Sequence, residues 1–249
     1  MTTRTLVSSL IAVALLPAAA PADVSFFDDF TGGASPLWQD VAGQWTVQGG
    51  LYWATVPDNL PSAHSTLPFE MSNLELEVDI SEIVDGGLWI RCAEAPGSPI
   101  GLTGVLLVTK GTSLYWHEVT NPGSYGGIIN EASGLFPAGG NARIRVSVCG
   151  DTYEAYVDDA TAPATTLTSS AFGIGRVALY ANSLQKFDNV SLTSVDVGDL
   201  NFDGVVDGAD LGALLAAWGP CGAGCEFDLT CDGAIDGADL GILLANWST

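Results

Sequence analysis

The sequence predicts a mainly β chain: an antiparallel β-sandwich followed by a small α-helical unit made of a duplicated loop–helix repeat. Three observations carry this reading. Between Asp23 and about Val195, short apolar–polar alternations are separated by glycine-rich turns, as in an all-β sandwich. No stretch of helical periodicity longer than a turn or two interrupts them. After Val195 the composition changes, and a twenty-residue pattern occurs twice.

The N-terminus reads as a leader. Arg4 precedes an apolar run of eleven residues from Leu6 to Leu16, and Ala20-Pro21-Ala22 fits a small-residue cleavage site. The run is too short to span a bilayer as a helix, so residues 1–22 are read as a signal peptide. No later run has spanning length. The mature chain is expected to be secreted, extracellular or at the cell surface, with no membrane span.

The 249 residues carry 29 acidic and 7 basic side chains, a formal net charge of -22. This argues against nucleic acid as a partner, because phosphate binding takes clustered cations. Anionic membrane surfaces are disfavoured for the same reason. Such charge either keeps a monomer soluble or serves to neutralise a cation.

Residues 23–195 form the sandwich segment. Leu74, Leu76, Val78 and Ile80 alternate with Glu75, Glu77 and Asp79, the period of a strand with one buried face. Ile144, Val146 and Val148 repeat the pattern, and Tyr153, Ala155 and Val157 follow a turn at Gly150-Asp151. Further strands are expected at Gly87–Ala93, Val105–Lys110, Leu114–Val119, Gly175–Ala181 and Phe187–Leu192. Asp85-Gly86-Gly87, Lys110-Gly111 and Asn121-Pro122-Gly123 supply turns between them.

Residues 196–249 contain nine Asp, one Glu and no Lys or Arg. Asp199–Trp218 aligns without gaps to Asp228–Trp247, fourteen of twenty positions being identical at a spacing of 29 residues. Each copy offers oxygens at loop positions 1, 3, 5, 7, 9 and 12, with glycine at 6. Calcium takes six to eight hard oxygen ligands from such a loop. In the first copy the ligands are Asp199, Asn201, Asp203, the Val205 carbonyl, Asp207 and Asp210, with Gly204 at the turn. In the second they are Asp228, Thr230, Asp232, the Ala234 carbonyl, Asp236 and Asp239, with Gly233. Two Ca2+ sites are expected, the second weaker because Thr230 is a neutral hydroxyl. A helix follows each loop, with stripes Leu211, Leu214, Leu215, Trp218 and Leu240, Leu243, Leu244, Trp247 expected to pack on each other.

This loop-then-helix duplication resembles a type I dockerin over Asp199–Trp247. The resemblance implies calcium-dependent docking to a cohesin-like partner, with repeat symmetry suggesting two equivalent faces. Gly208-Ala209 and Gly237-Ala238 stand where family members often carry cohesin-contacting hydroxyls, and the insert Gly219–Cys225 is atypical. The segments Gly43–Leu51, Gly86–Arg91 and Phe187–Val190 resemble concanavalin A-like sandwiches of the laminin-G and keto-disaccharide hydrolase kind. That fold hosts lectins, glycosidases and adhesion modules, so it does not choose among them.

Glu77-Val-Asp79-Ile-Ser-Glu82 has the E-x-D-x-x-E form of laminarinase-type retaining glycosidases, in which two carboxylates flank the scissile bond. The tryptophan-rich context of that family is absent, and the residues also fit the polar face of an ordinary strand, which is the preferred reading. Trp89, Trp116 and Tyr125 are the candidate sugar-stacking aromatics, whereas Trp38, Trp45 and Trp53 read as core. Among the cysteines, Cys92–Cys149 and Cys221–Cys225 are expected to pair, leaving Cys231. The expected function is an exported calcium-binding protein that docks a carbohydrate-interacting sandwich in polysaccharide processing, without glycosidase activity. The alternatives are a glycoside hydrolase using Glu77 and Glu82, and a structural or adhesive surface protein.

Overall fold

The computed structural model describes residues 24–59, 62–95, 101–194, 198–201, 205–221 and 227–248. The leader reading of residues 1–22 lies outside them. Strands are numbered in chain order as β1 Ser25–Asp28, β2 Gln39–Ala42, β3 Trp45–Gln48, β4 Leu51–Ala54, β5 Ala63–Thr66, β6 Leu74–Ser81, β7 Asp85–Glu94 and β8 Leu102–Lys110. They continue as β9 Ser113–Val119, β10 Ile129–Ala132, β11 Ala142–Cys149, β12 Thr152–Val157, β13 Thr165–Thr168, β14 Arg176–Ala181 and β15 Lys186–Ser194. Helix α1 spans Gly208–Ala216, β16 Gly219–Pro220, β17 Ala234–Ile235 and helix α2 Gly237–Ala245.

Two antiparallel sheets form the sandwich. The first has the order β13-β12-β11-β6-β15-β4-β3, with β1 also paired to β15, and the second has β10-β9-β8-β7-β14-β5-β2. The alternation in β6 does what its period dictates. Leu74, Leu76, Val78 and Ile80 are buried, while Glu75, Glu77 and Asp79 face outward, beside Arg145 and Arg143 of β11. Leu88 and Ile90 of β7, Val105 and Leu107 of β8 and Leu114 and Trp116 of β9 close the same core from the second sheet.

The second sheet carries an irregularity at Arg91. The β7–β8 register shifts between Ile90 and Ala93, a bulge that re-aims a side chain. Arg91 lies at φ +47° and is 2% exposed. Its guanidinium donates to Ser72 O at 2.6 Å, Phe172 O at 2.8 Å, Gly150 O at 2.7 Å and the Tyr153 hydroxyl at 3.1 Å. These oxygens satisfy a buried cation that would otherwise be costly to bury. The other cationic side chains described stand against carboxylates: Lys110 with Asp85, Arg143 with Glu77 and Asp79, Arg145 with Glu75, Arg176 with Glu94, and Lys186 with Glu82.

Helices α1 and α2 carry the repeats. Leu214 and Leu243 are fully buried between them, with Leu200, Leu229 and Ile235 completing a small core. Trp247 packs partly against that core, but Trp218 is 47% exposed and Leu215 and Leu244 are each 51% exposed. The expectation that the stripes pack on each other holds at Leu214 and Leu243 and fails at Leu215, Leu244 and Trp218. Leu215 and Leu244 each follow a buried leucine by one residue, about 100° around the helix, and so turn toward solvent.

The cysteine expectation is corrected as well. Cys149 pairs with Cys231, their Cα atoms 5.9 Å apart, and Cys92 is a free, buried thiol. Cys92 follows the bulge and packs with Trp89 and Leu102 on the outer face of the second sheet, whereas Cys149 ends β11 of the first. The Cys221–Cys225 expectation involves Cys225, which lies outside the described residues.

Candidate functional sites

The second loop of the C-terminal unit is described in full. Asp228 Oδ1 accepts from the Asp232 N–H at 3.2 Å, and Oδ2 from the Gly233 N–H at 2.7 Å. Asp232 accepts from Ala234 N–H at 2.9 Å. Asp236 caps α2 by accepting from Ala238 N–H at 2.7 Å. Asp239 closes the turn, with Oδ1 accepting from Thr230 N–H at 2.9 Å and Oδ2 from Asp236 N–H at 2.8 Å. Burial alone would raise the Asp239 carboxyl, but these backbone donors outweigh it and hold it below the usual range.

The described part of the first loop repeats the arrangement around Asp239. Asp210 accepts from Leu200 N–H at 2.7 Å and Asn201 N–H at 3.2 Å through Oδ1, and from Asp207 N–H at 2.8 Å through Oδ2. Asp203 of this loop lies outside the described residues.

Asp199, Asp210, Asp228 and Asp239 are all buried, in a segment without a single Lys or Arg. A buried carboxylate is stabilised by hydrogen-bond donors, as here, and further by a cation or metal. Among the described residues, no three acidic, histidine or cysteine side chains converge closely enough to hold an ion as they stand. The donors still fit a hard divalent cation in kind, being carboxylate, hydroxyl and carbonyl oxygens whose N–H partners lie within the loop.

The two loops also exchange ends. Val206 N–H donates to Ser248 Oγ at 2.9 Å, and Ser248 N–H donates to Val206 O at 2.9 Å. Adding 29 to Val206 and taking 29 from Ser248 gives Ile235 and Gly219, the paired residues of β17 and β16. Each loop is thus buttressed by the residue that follows the other repeat's helix.

In the sandwich, strand register arranges the outer face of the second sheet in two rows. One runs Thr66–Ala178–Trp89–Leu106–His117, the other His64–Tyr180–Gly87–Val108–Tyr115. Tyr125 covers this face, its ring 6.1 Å from Trp89, 5.9 Å from His117 and 6.4 Å from Tyr180. Its hydroxyl donates to Asn59 O, and the Tyr180 hydroxyl donates to Asn59 Oδ1 at 2.6 Å. Burial pushes the Tyr180 hydroxyl well above its ordinary value.

Three polar atoms on this face have no hydrogen-bond partner among the described residues: Trp89 Nε1, Thr66 Oγ1 and His64 Nε2. His64 Nδ1 lies 2.7 Å from Ser62 O, so that nitrogen carries the proton and Nε2 presents a lone pair. Burial pushes the imidazole down to about 4. A donor, an acceptor and a hydroxyl within an aromatic wall can each meet a hydroxyl of an uncharged polyol.

Of the three aromatics named from sequence, Trp89 and Tyr125 meet on this face. Trp116 does not. It is fully buried in the core between the sheets, where its indole donates to Thr165 Oγ1 at 3.2 Å. Strand parity separates the two tryptophans, and the alternation of β9 gives the signal. Asn59, His64, Thr66 and Tyr180 were missed by sequence reasoning, because only the cross-strand register collects them.

The E-x-D-x-x-E carboxylates lie elsewhere. Arg143 clamps Asp79 at 2.7 and 3.1 Å and stands 3.5 Å from Glu77. That clamp holds the Asp79 carboxyl below the usual range. Glu82 follows β6 at φ +55° and pairs with Lys186. Asp79 and Arg143 line an open groove of about 790 Å³ with Asp158, Asp159 and Asp188.

No family model matches the sequence, and comparison with curated proteins gives no significant match. Solved structures resemble the sandwich. A Bacillus subtilis protein of unknown function with a galectin-like fold superposes with a TM-score of 0.51 at 11% identity, over 70% of this chain and 96% of its own. Bacillus licheniformis beta-glucanase gives 0.50 at 11%, over 73% and 100%, and a native glycosidic hydrolase gives 0.51 at 12%, over 72% and 99%. At these identities the likeness establishes the fold: residues from β1 to β15 form a concanavalin A-like, galectin-like β-sandwich.

Proposed function

We propose that this protein is an exported docking protein, whose duplicated C-terminal unit binds two calcium ions and couples a carbohydrate-interacting sandwich to a cohesin-like partner. The observation that carries the calcium half is the buried Asp210 and Asp239 pair. Each occupies loop position 12 and gathers backbone N–H groups from both ends of its loop, with no cationic side chain in the segment. A bound divalent cation supplies the positive charge that these carboxylates need. The loop backbone orients them, and the reciprocal Val206–Ser248 and Ile235–Gly219 pairings tie the two loops together. Calorimetric titration of the full chain with calcium chloride tests this. Two bound ions are expected, falling to one in Asp239→Asn; absence of heat ends the reading.

The carbohydrate half rests on the covered face bearing Trp89, His64 and Thr66. Aromatic rings stack on sugar C–H faces, and unpartnered buried polar atoms gain most from a hydroxyl partner. Binding requires Tyr125 to move aside from Asn59. A neutral-glycan array read with wild type and Trp89→Phe tests it, since the variant keeps an aromatic face but loses the indole N–H and part of the ring surface. Retention on a neutral glycan, weakened in the variant, is the expected result. The hydrolase reading is less well supported, because Glu77 and Glu82 stand against separate cations.

A further inference from the structure

We propose that the Cys149–Cys231 disulfide restricts the freedom of the second calcium loop, making it the tighter of the two sites in the oxidised protein. This rests on the calcium reading of the two loops and reverses the order that ligand chemistry alone predicts.

Cys231 occupies loop position 4, between Thr230 and Asp232, which are ligands 3 and 5. Its backbone sits at φ +58°, a region that non-glycine residues enter only when their surroundings compel it. The bond fixes this residue to the end of β11. In the first repeat the equivalent position is Phe202, which cannot form such a bond.

The sandwich side is a rigid platform. Gly150, next to Cys149, donates its N–H to Asn73 Oδ1 at 3.0 Å and accepts from Arg91 at 2.7 Å through its carbonyl. Arg91 is itself fixed by the Ser72 and Phe172 carbonyls. Gly150 lies at φ +54°, and a Cβ there would stand 2.8 Å from Thr230 O. The loop backbone thus rests on Gly150 while its neighbour is bonded to Cys149.

A loop held this way loses less freedom when it closes on an ion, and a larger fraction of molecules is competent to bind. The first loop lacks the bond. Reduction of Cys149–Cys231 therefore loosens one site and leaves the other, which ties calcium occupancy of the second repeat to an oxidising surrounding.

The test uses the full-length oxidised chain as Asp210→Asn, which isolates the second site, and as Asp239→Asn, which isolates the first. Each is compared with and without Cys149→Ser/Cys231→Ser by calorimetric titration with calcium chloride. Loss of the disulfide should weaken the second site about tenfold or more and leave the first unchanged. Hydrogen exchange of residues 228–239 in chelator should quicken in parallel. If the serine pair prevents folding, phosphine reduction of the folded wild type provides the same comparison. Unchanged affinity of the second site, or equal weakening of both, overturns the inference while leaving the calcium reading intact. Absence of heat in every variant removes both.

Discussion

Val206 and Ser248 hold each other by two hydrogen bonds of 2.9 Å, one through the serine hydroxyl and one through its backbone N–H. The first loop is therefore finished by the end of the second repeat. Ser248→Pro removes both donor and hydroxyl, and should destabilise the C-terminal unit by about 1–3 kcal/mol. Thermal unfolding in chelator, followed by far-ultraviolet circular dichroism, checks this. The sandwich signal should be unmoved.

Arg91 is the anchor of the sandwich end nearest the disulfide. Arg91→Met strands the carbonyls of Ser72, Phe172 and Gly150 and the Tyr153 hydroxyl, at a cost of about 3–5 kcal/mol. Arg91→Lys should recover little, because an ammonium cannot match a planar fork. Urea unfolding monitored by tryptophan fluorescence measures both.

His64 makes stability depend on acid. Its ordinary value of 6.5 falls to about 4 in the fold because burial disfavours the charged ring. The unfolded chain therefore binds the extra proton first as pH falls. The contribution is fully present above 6.5 and is lost on descending toward 4, to a limit of about 3 kcal/mol. Between pH 7 and pH 4, wild type should lose more stability than His64→Gln by that order. Parallel slopes in urea melts at the two pH values would refute it.

Cys92 should be inert in the native protein. Burial pushes its thiol up to about 12, and only the thiolate attacks electrophiles. Iodoacetamide should label it only after unfolding, as followed by intact mass. Labelling of the folded chain at neutral pH would contradict the burial.

Residue order alone makes a good part of the fold legible. The period of two in β6 and β11 names their buried faces. What could not be read depends on register or on distance along the chain. The Cys149–Cys231 pairing spans 82 residues, and nothing in the spacing of five cysteines selects it. The bulge at Arg91 turns its side chain inward against strict alternation, so the guanidinium reads as surface in the sequence. Trp116 and Trp89 look alike as isolated aromatics, and it is their parity within β9 and β7 that puts them on opposite faces. Trp218 and Trp247 are equivalent by repeat, yet only Trp247 packs partly against the small core.

The pairing of Lys110, Arg143, Arg145, Arg176 and Lys186 with carboxylates, together with the enclosure of Arg91, accounts for every cationic side chain described. With a formal charge of -22, the chain carries a large excess of negative charge toward any approaching polymer. Such charge would disfavour uronic-acid and sulfated polysaccharides, over roughly 10 Å at moderate ionic strength. Uncharged glucans, mannans or fructans approach without that barrier. If the aromatic face binds a glycan as proposed, the charge of the whole molecule would act as a filter on polymer charge ahead of that contact.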